Sequence, residues 1–405
     1  MAETAAHLVD HVIPWVPVRQ WVLSLPFKLR YRMAYDSALT ADVLNIFIGA
    51  VFRGLQLRAR EWLGLRQSQC GAVTFIQRFN SGLGLNVHFH SIVFDGVYAA
   101  DSAGHPEFHE LPPPEDADVL ATVTRIAGRV EGLIERRDLA DAADSLSEND
   151  PGLAAVYAAA VRGRIATGPN AGNRVDTLGD RIDGDSMEAM SSPRCATVSG
   201  CNLHANVAVG ARDRERLERL LRYAARPALA LDRLSRLPNG RLAYRLKRMW
   251  SNGATDVVFE PQDFLTRLAA LVPAPRVHLT RFHGILAPAA AWRSLVVPKP
   301  VDEPDVSLWA VTPVAEKSPS NIQPLPEAQK STTATSQPPN YTWALLMMRV
   351  FQIDVLKCEQ CGGRLKIIAA IHPPDTTRRI LDCLGLPSRG PPLGAAVSEP
   401  SSEYF

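Results

Sequence analysis

The sequence predicts an α+β fold built on an antiparallel sheet with helices packed against it. Three patterns carry that expectation. Gly71 to Phe79 (GAVTFIQRF) and Leu85 to Tyr98 (LNVHFHSIVFDGVY) have strand composition and are joined by a short Ser-Gly-Leu-Gly connection, which reads as a hairpin. Ser37 to Arg60 places Leu44, Phe47, Ile48, Val51 and Leu55 at helical spacing, the mark of an amphipathic helix. Strand-like segments then return beyond Cys195, so an acidic region is inserted between two halves of the sheet.

Residues 1–100 form the first half of the domain in this reading. Residues 101–194 are the acidic insertion, opened by a helix from Glu115 to Arg137 with Val119, Leu120, Val123, Ile126, Ala127, Val130 and Ile134 on one face. Its remainder, 138–190, is rich in Asp, Ala and Gly with weak periodicity and reads as long loops. The second half, 195–297, begins with a strand pair in ATVSGCNLHANVAV. A helix from Arg214 to Arg226 follows and must stop before Pro227, because proline disfavours a helical residue ahead of it. Short strands at Arg241 to Tyr244 and Asp256 to Phe259, a helix from Pro261 to Val272 and a strand from Arg276 to Leu286 complete that half. Residues 298–340 are a Pro/Ser/Thr-rich linker, 341–390 a small C-terminal CxxC module and 391–405 a disordered tail.

Composition bounds the class. With 405 residues, 46% hydrophobic and 21% charged, the chain is long enough for more than one domain and is neither disordered nor fibrous in composition. Pro151 to Val161 is too short to span a bilayer, and the charge-free run Cys195 to Ala211 is interrupted by polar residues. No signal pattern opens the sequence, so a cytoplasmic protein with no membrane partner is expected. Six scattered cysteines imply no disulfide framework. The net charge of +2 conceals a strong asymmetry. Between Asp101 and Met190 there are 18 acids and 8 arginines, whereas between Asn202 and Trp250 there are 12 Lys and Arg against 4 acids. The basic block points to an anionic partner.

His88-Phe89-His90 is the sharpest local feature. Strand alternation sends both imidazoles to one face and Phe89 to the other, and two neutral imidazoles side by side can ligate a divalent metal. A turn centred near Gly82 and Leu83 would set Gln77 opposite His88, where its amide oxygen can supply a third ligand; a one-residue slip would remove it. On the basic helix, Leu217, Leu220, Leu221 and Ala224 form the apolar stripe. Tyr223 falls on the other side, among Arg216, Arg219, Arg222 and Arg226. Guanidinium groups hold phosphate oxygens, so a phenol there suits attack on a phosphodiester. The combined expectation is a Mg²⁺- or Mn²⁺-assisted attack by Tyr223, with Arg219, Arg222 and Arg226 as phosphate contacts. Phosphodiester exchange needs no nucleotide hydrolysis, and no Gly-Lys-Ser/Thr loop occurs in the chain. Cys358-x-x-Cys361-Gly-Gly forms a knuckle-type turn that can bind Zn²⁺, with His372 and Cys383 as the nearby candidates to complete the set.

The stretches VRQWVLSLPF, GAVTFIQRFNSGLGLNVHFHSIVFDGVY, LERLLRYAARPALALDRL and VVFEPQDFLTRLAALVPAPRVHLTRFHG, in that order, resemble the rolling-circle insertion-sequence transposases of the His-hydrophobe-His (HUH) endonuclease superfamily. The resemblance extends to MAETAAHLVDHVIP and VFQIDVLKCEQCGGRLKIIAAI, sparing mainly the acidic insertion and the linker. It implies an HUH-type sheet, His88 and His90 as metal ligands and Tyr223 as nucleophile. Related branches carry His where Gln77 stands, which supports Gln77 as the third ligand. It further implies single-stranded DNA at element ends as substrate, with host helicase and replication machinery as partners.

Three departures accompany the resemblance. Relatives with two tyrosines carry the first where Arg219 stands, so this is a single-tyrosine version. Their N-terminal zinc-binding segment has no counterpart here, which reads as a truncation. Asn80 stands where a glycine is expected in the hairpin turn. Two other classes stay open at this level: an inactive DNA-binding remnant or repressor, and a metal-dependent hydrolase in which Tyr223 is structural.

Overall fold

Six antiparallel strands form the sheet on which everything else is arranged. The computed structural model describes residues 1–139, 144–179, 193–250, 252–299, 341–366, 371 and 373–386. Nearly all of the expected linker, the expected tail and His372 lie outside the described residues. The sheet comprises β1 (Val18–Ser24), β2 (Gly71–Phe79), β3 (Leu85–Phe94), β7 (Cys195–Val198), β8 (Cys201–Val209) and β12 (Thr280–Gly284). Their order is β12-β2-β3-β1-β8-β7, so the His88–His90 strand is interior. A short pair, β4 (Gly96–Ala100) and β5 (Pro106–Glu110), continues from β3. The α+β class and the strand pair after Cys195 are both present.

Side-chain alternation divides the core into two layers. On one face Val73, Phe75, Ile92 and Phe94 pack against α1 (Ala2–His11) and α7 (Arg214–Ala224) through Leu8, Leu217 and Leu221. On the other, Ile76, Phe89 and Val93 meet α3 (Ser37–Leu63) and α4 (Asp116–Arg136), with the Phe47 and Phe89 rings stacked at 6.0 Å. Asp36 caps α3 by accepting from the Leu39 amide, and Gly64 closes it in the left-handed conformation. Helix α3 is long and apolar enough to cross a membrane, but 56% of that window is buried inside the fold. It follows α2 (Phe27–Tyr35), which leads out of β1.

The acidic segment is more integrated than its composition suggests. Helix α4 enters the main core, and the segment read as loops contains α5 (Ser145–Asn149) and α6 (Pro151–Arg162). Ala154, Tyr157, Ala160 and Val161 of α6 are buried. Its alanine-rich sequence lacks a polar face, which is why the helical periodicity is faint. The segment also donates β6 (Asp176–Leu178) to a second sheet of order β6-β11-β10-β9, with β9 (Leu234–Arg236), β10 (Leu242–Arg245) and β11 (Asp256–Phe259). Helix α8 (Pro261–Leu271) follows, then β12 and α9 (Arg293–Val296). Two expected elements are shorter than read. Helix α7 stops at Ala224, and β12 starts at Thr280 after Arg276 adopts a φ of 65°.

The C-terminal module supplies α10 (Trp343–Phe351) and α11 (Pro374–Cys383). Arg349 of α10 reaches the tyrosine-bearing helix: its Nε donates to Glu218 at 2.6 Å, while Nη1 and Nη2 donate to Asp10 at 2.5 and 2.8 Å. Glu218 is buried and also accepts from Arg222 at 3.1 Å. Removing this buried carboxylate takes the ion-pair partner from half-buried Arg222 and leaves Arg349 with Asp10 alone. Glu218→Ala is therefore expected to lower unfolding stability by about 2–4 kcal/mol, measured by urea denaturation. Glu218→Asp should recover part of that loss.

Candidate active site

The hairpin that builds the site is organised by its turn. Asn80 Oδ1 accepts from the Gly82 and Gly84 amides at 3.0 and 2.8 Å, and Leu83 takes a φ of 61° with its side chain buried. Asn80 thus holds the turn with its own side chain, a role a glycine there would not fill. With the turn fixed, Gln77 pairs with His88 and Phe75 with His90. Gln77, His88 and His90 share one face, and all three are buried.

The ring centroids of His88 and His90 are 4.9 Å apart. His88 Nδ1–H donates to the Asn86 carbonyl at 2.9 Å, which leaves the Nε2 lone pair free. Gln20 of β1 lies 2.8 Å from His90 Nδ1 through its Nε2, a contact that as placed puts the ring proton on His90 Nε2. A half-turn of the Gln20 carboxamide reverses donor and acceptor and frees Nε2, so Gln20 selects the His90 tautomer. Gln77 Nε2 donates to the Ala224 carbonyl at 2.7 Å, tying β2 to the end of α7. Its Oε1 is buried without a hydrogen-bond partner. A buried amide oxygen left unpaired beside two imidazoles is a donor set of two nitrogens and one oxygen, suited to a divalent transition cation. Among the described residues no three His, Cys, Asp or Glu side chains gather at one point, so a three-ligand set here needs the Gln77 amide.

Burial pushes His88 down to about 4, opposed by its Asn86 bond and reinforced by the Arg226 and Arg30 guanidinium groups. Burial, His88 and Arg226 together hold His90 well below the ordinary imidazole value. Both rings are therefore neutral at pH 7. Burial likewise brings His283 to about 4 and lowers His204. For each, the folded value lies below the unfolded one, so the unfolded chain takes up protons first as pH falls. Stability of the metal-free protein should be full above about pH 6.5 and decline toward pH 4, with His88 alone contributing on the order of 3 kcal/mol. Urea unfolding at pH 7 and pH 4.5 measures the loss.

Tyr223 sits one residue before the α7 carbonyl that Gln77 grips. Its ring lies edge-on to His90 with centroids 6.1 Å apart. The Arg226 guanidinium carbon is 4.3 Å and the Lys247 Nζ 4.6 Å from the same ring centroid. Nε and Nη1 of Arg226 are buried with no hydrogen-bond partner, while the group also stands 5.5 Å from the Phe79 ring. Two buried, unsatisfied guanidinium nitrogens are costly and mark a place where an anion fits. The three expected phosphate contacts separate accordingly. Arg226 faces the site, Arg222 is engaged by Glu218, and Arg219 forms an exposed pair with Glu215 at 3.6 Å.

Lys247 was not among the residues singled out from sequence. Its ammonium falls to about 8 through partial burial and then the nearby Arg226 and Arg233 charges. The only sequence signal for it is membership of the basic block, since it arrives from beyond β10 of the second sheet. Gln20 carried no signal either; it reaches His90 through the β1–β3 pairing. Cys70 and Cys201 are buried, and Cys195 is half-buried. In the terminal module the Cys358 amide donates to the Gly363 carbonyl and the Gly362 amide to the Cys358 carbonyl, both at 2.8 Å, closing a knuckle-like turn. Backbone and thiol hydrogen bonds, first from Cys361, hold the Cys358 thiol below its usual value. Cys361 is exposed, as is Cys383 on α11.

Residues 71–293, more than half of the chain and inclusive of Gln77, His88, His90, Tyr223, Arg226 and Lys247, match the family model Y2_Tnp, described as "Putative transposase". The chain belongs to this transposase family. No curated protein and no solved structure matches it. Membership carries the general role of a transposase and, with it, a DNA-cleaving enzyme.

Proposed function

We propose that this transposase nicks and rejoins single-stranded DNA at element ends by a rolling-circle route, through a covalent phosphotyrosine on Tyr223. The observation that carries the reading is the placement of the Tyr223 ring against His90 and beside two cations, one of them a guanidinium with two buried, unpaired nitrogens. Arg226 and Lys247 would hold the non-bridging oxygens of the scissile phosphate in line with the phenol. The phenol oxygen forms a bond to phosphorus as the bond to the 3′-oxygen breaks. The phenol gives up its proton and the departing strand gains one as a 3′-hydroxyl, so the exchange is balanced. Rejoining is the same exchange in reverse.

The residues present fit a divalent cation. His88, His90 and the unpaired Gln77 oxygen would hold it, with Gln20 and the Asn86 carbonyl orienting the rings. When bound, the cation supplies Lewis-acid polarisation of the phosphate. Two imidazoles and one carbonyl favour Mn²⁺ over the harder Mg²⁺. Zn²⁺ at Cys358 and Cys361 would need further ligands. With Arg219 at the other candidate position, one tyrosine must act twice or a second subunit must supply another. Strand unwinding would fall to host helicase and replication proteins.

The test is incubation of labelled single-stranded element ends with the protein and Mn²⁺, resolved on a denaturing gel. A downstream fragment linked to the protein through its 5′-phosphate, with a free 3′-hydroxyl on the upstream fragment, is the expected result. Intact DNA under all cation conditions would overturn the reading.

A further inference from the structure

We infer that the β10–β11 loop carries a base-stacking platform, Trp250, which seats a nucleotide of the DNA strand beside the phosphate held by Arg226 and Lys247. The inference deepens the DNA-nicking reading and rests on it for the identity of the strand. The loop runs Arg245-Leu246-Lys247-Arg248-Met249-Trp250 and then turns back, with the Trp250 amide donating to the Ala254 carbonyl at 2.9 Å and the Gly253 amide to the Trp250 carbonyl at 2.9 Å. Lys247 at one end of this stretch lies over the Tyr223 ring. Three residues span at most about 11 Å, so Trp250 is close to the place where the scissile phosphate must sit.

The indole is held from behind. A Cβ at Gly82 would stand 2.8 Å from Trp250 Cζ2 and 3.1 Å from Cη2, so the ring rests directly on the glycine backbone of the β2–β3 turn. Its Nε1–H reaches Ser81 Oγ at 3.5 Å. Arg233 bridges the same two elements, donating to the Ser81 carbonyl at 3.1 Å and to the Arg245 carbonyl at 2.6 Å. Trp250 nevertheless keeps 37% of its surface exposed, and Met249 beside it is 53% exposed. A large ring fixed on one side and open on the other suits an interior position poorly. It suits a nucleobase well, since stacking on an indole accepts any base and needs no hydrogen-bond readout. Anchoring on the turn that also sets the His88 register keeps the stacked nucleotide and the cation-binding side chains in one rigid frame.

Binding of the full-length chain to a fluorescently labelled oligothymidine strand, followed by anisotropy, tests this apart from chemistry. Trp250→Ala should weaken binding about tenfold, while Trp250→Phe stays within about threefold of the parent because a ring remains. The salt slope should be unchanged in Trp250→Ala, since no phosphate contact is lost, whereas Lys247→Ala should lower it by about one. Equal affinity of Trp250→Ala and the parent would overturn the platform. So would a reduced salt slope in Trp250→Ala, because the loss would then come from a displaced cation. If these results hold but wild type forms no covalent adduct with element ends, the platform stands and the tyrosine mechanism fails. If the adduct forms and the Trp250 variants bind alike, the mechanism stands and the platform fails.

Discussion

Tyr223→Phe is expected to abolish the covalent protein–DNA adduct and to reduce strand cleavage by at least about four orders of magnitude. The size follows from what is lost. Removal of a nucleophile leaves only binding and electrostatic assistance to solvent attack, a residual that is small in other covalent enzymes. Tyr244 is not free to substitute: the Arg233 guanidinium covers its ring, it is buried, and its hydroxyl engages the Ala230 amide at 3.2 Å. Single-strand binding should weaken by no more than about threefold, because Arg226, Lys247 and the aromatic ring all remain. Gel-resolved adduct formation and anisotropy on the same preparations measure the two quantities. Cleavage that persists without an adduct in Tyr223→Phe would instead identify a hydrolase. Binding with no adduct in the wild type would identify a remnant that holds DNA and leaves it intact.

The parts of the site that were legible in sequence are those set by local geometry. Strand alternation fixes His88 and His90 on one face, and the hairpin turn then decides what lies across from them. Gln77 faces His88 in the structure because Asn80 ties the turn with two side-chain hydrogen bonds. The wheel of α7 likewise separates Tyr223 from the Leu217 and Leu221 stripe without tertiary information. What was hidden depends on distant pairings. Gln20 meets His90 only because β1 inserts between β3 and β8, and Lys247 meets Tyr223 only because a second sheet stands beside the first. The wheel also placed Arg222 and Arg226 alike, yet a buried Glu218 one turn back engages the first and leaves the second unpaired. Glu218 itself is bound by Arg349 across 131 positions of chain, a distance no periodicity reports.

His90→Ala is expected to lower Mn²⁺-dependent adduct formation about a thousandfold, and Gln77→Ala about 10- to 100-fold. The two differ because His90 carries a strong nitrogen donor, whereas an amide oxygen is a weaker ligand that water can replace once the side chain is gone. Gln77→Ala also removes the bond from Nε2 to the Ala224 carbonyl, so part of its effect should come from a loosened α7 terminus. Raised Mn²⁺ should restore activity to Gln77→Ala more fully than to His90→Ala. Binding can be read without DNA: at a cation concentration about 100 times its dissociation constant, wild type should gain about 2.7 kcal/mol in unfolding stability, and His90→Ala little of it. The pH dependence separates this buried pair from a surface one. His88 titrates near 4 and burial holds His90 well below the ordinary imidazole value, so no proton must leave either ring above about pH 6, and the Mn²⁺ stabilisation should stay flat from pH 6 to 8. Exposed imidazoles near 6.5 would instead lose much of their affinity at the lower end of that range. A steep fall between pH 7 and 6, or equal Mn²⁺ stabilisation of wild type and His90→Ala, would place the cation elsewhere on the protein.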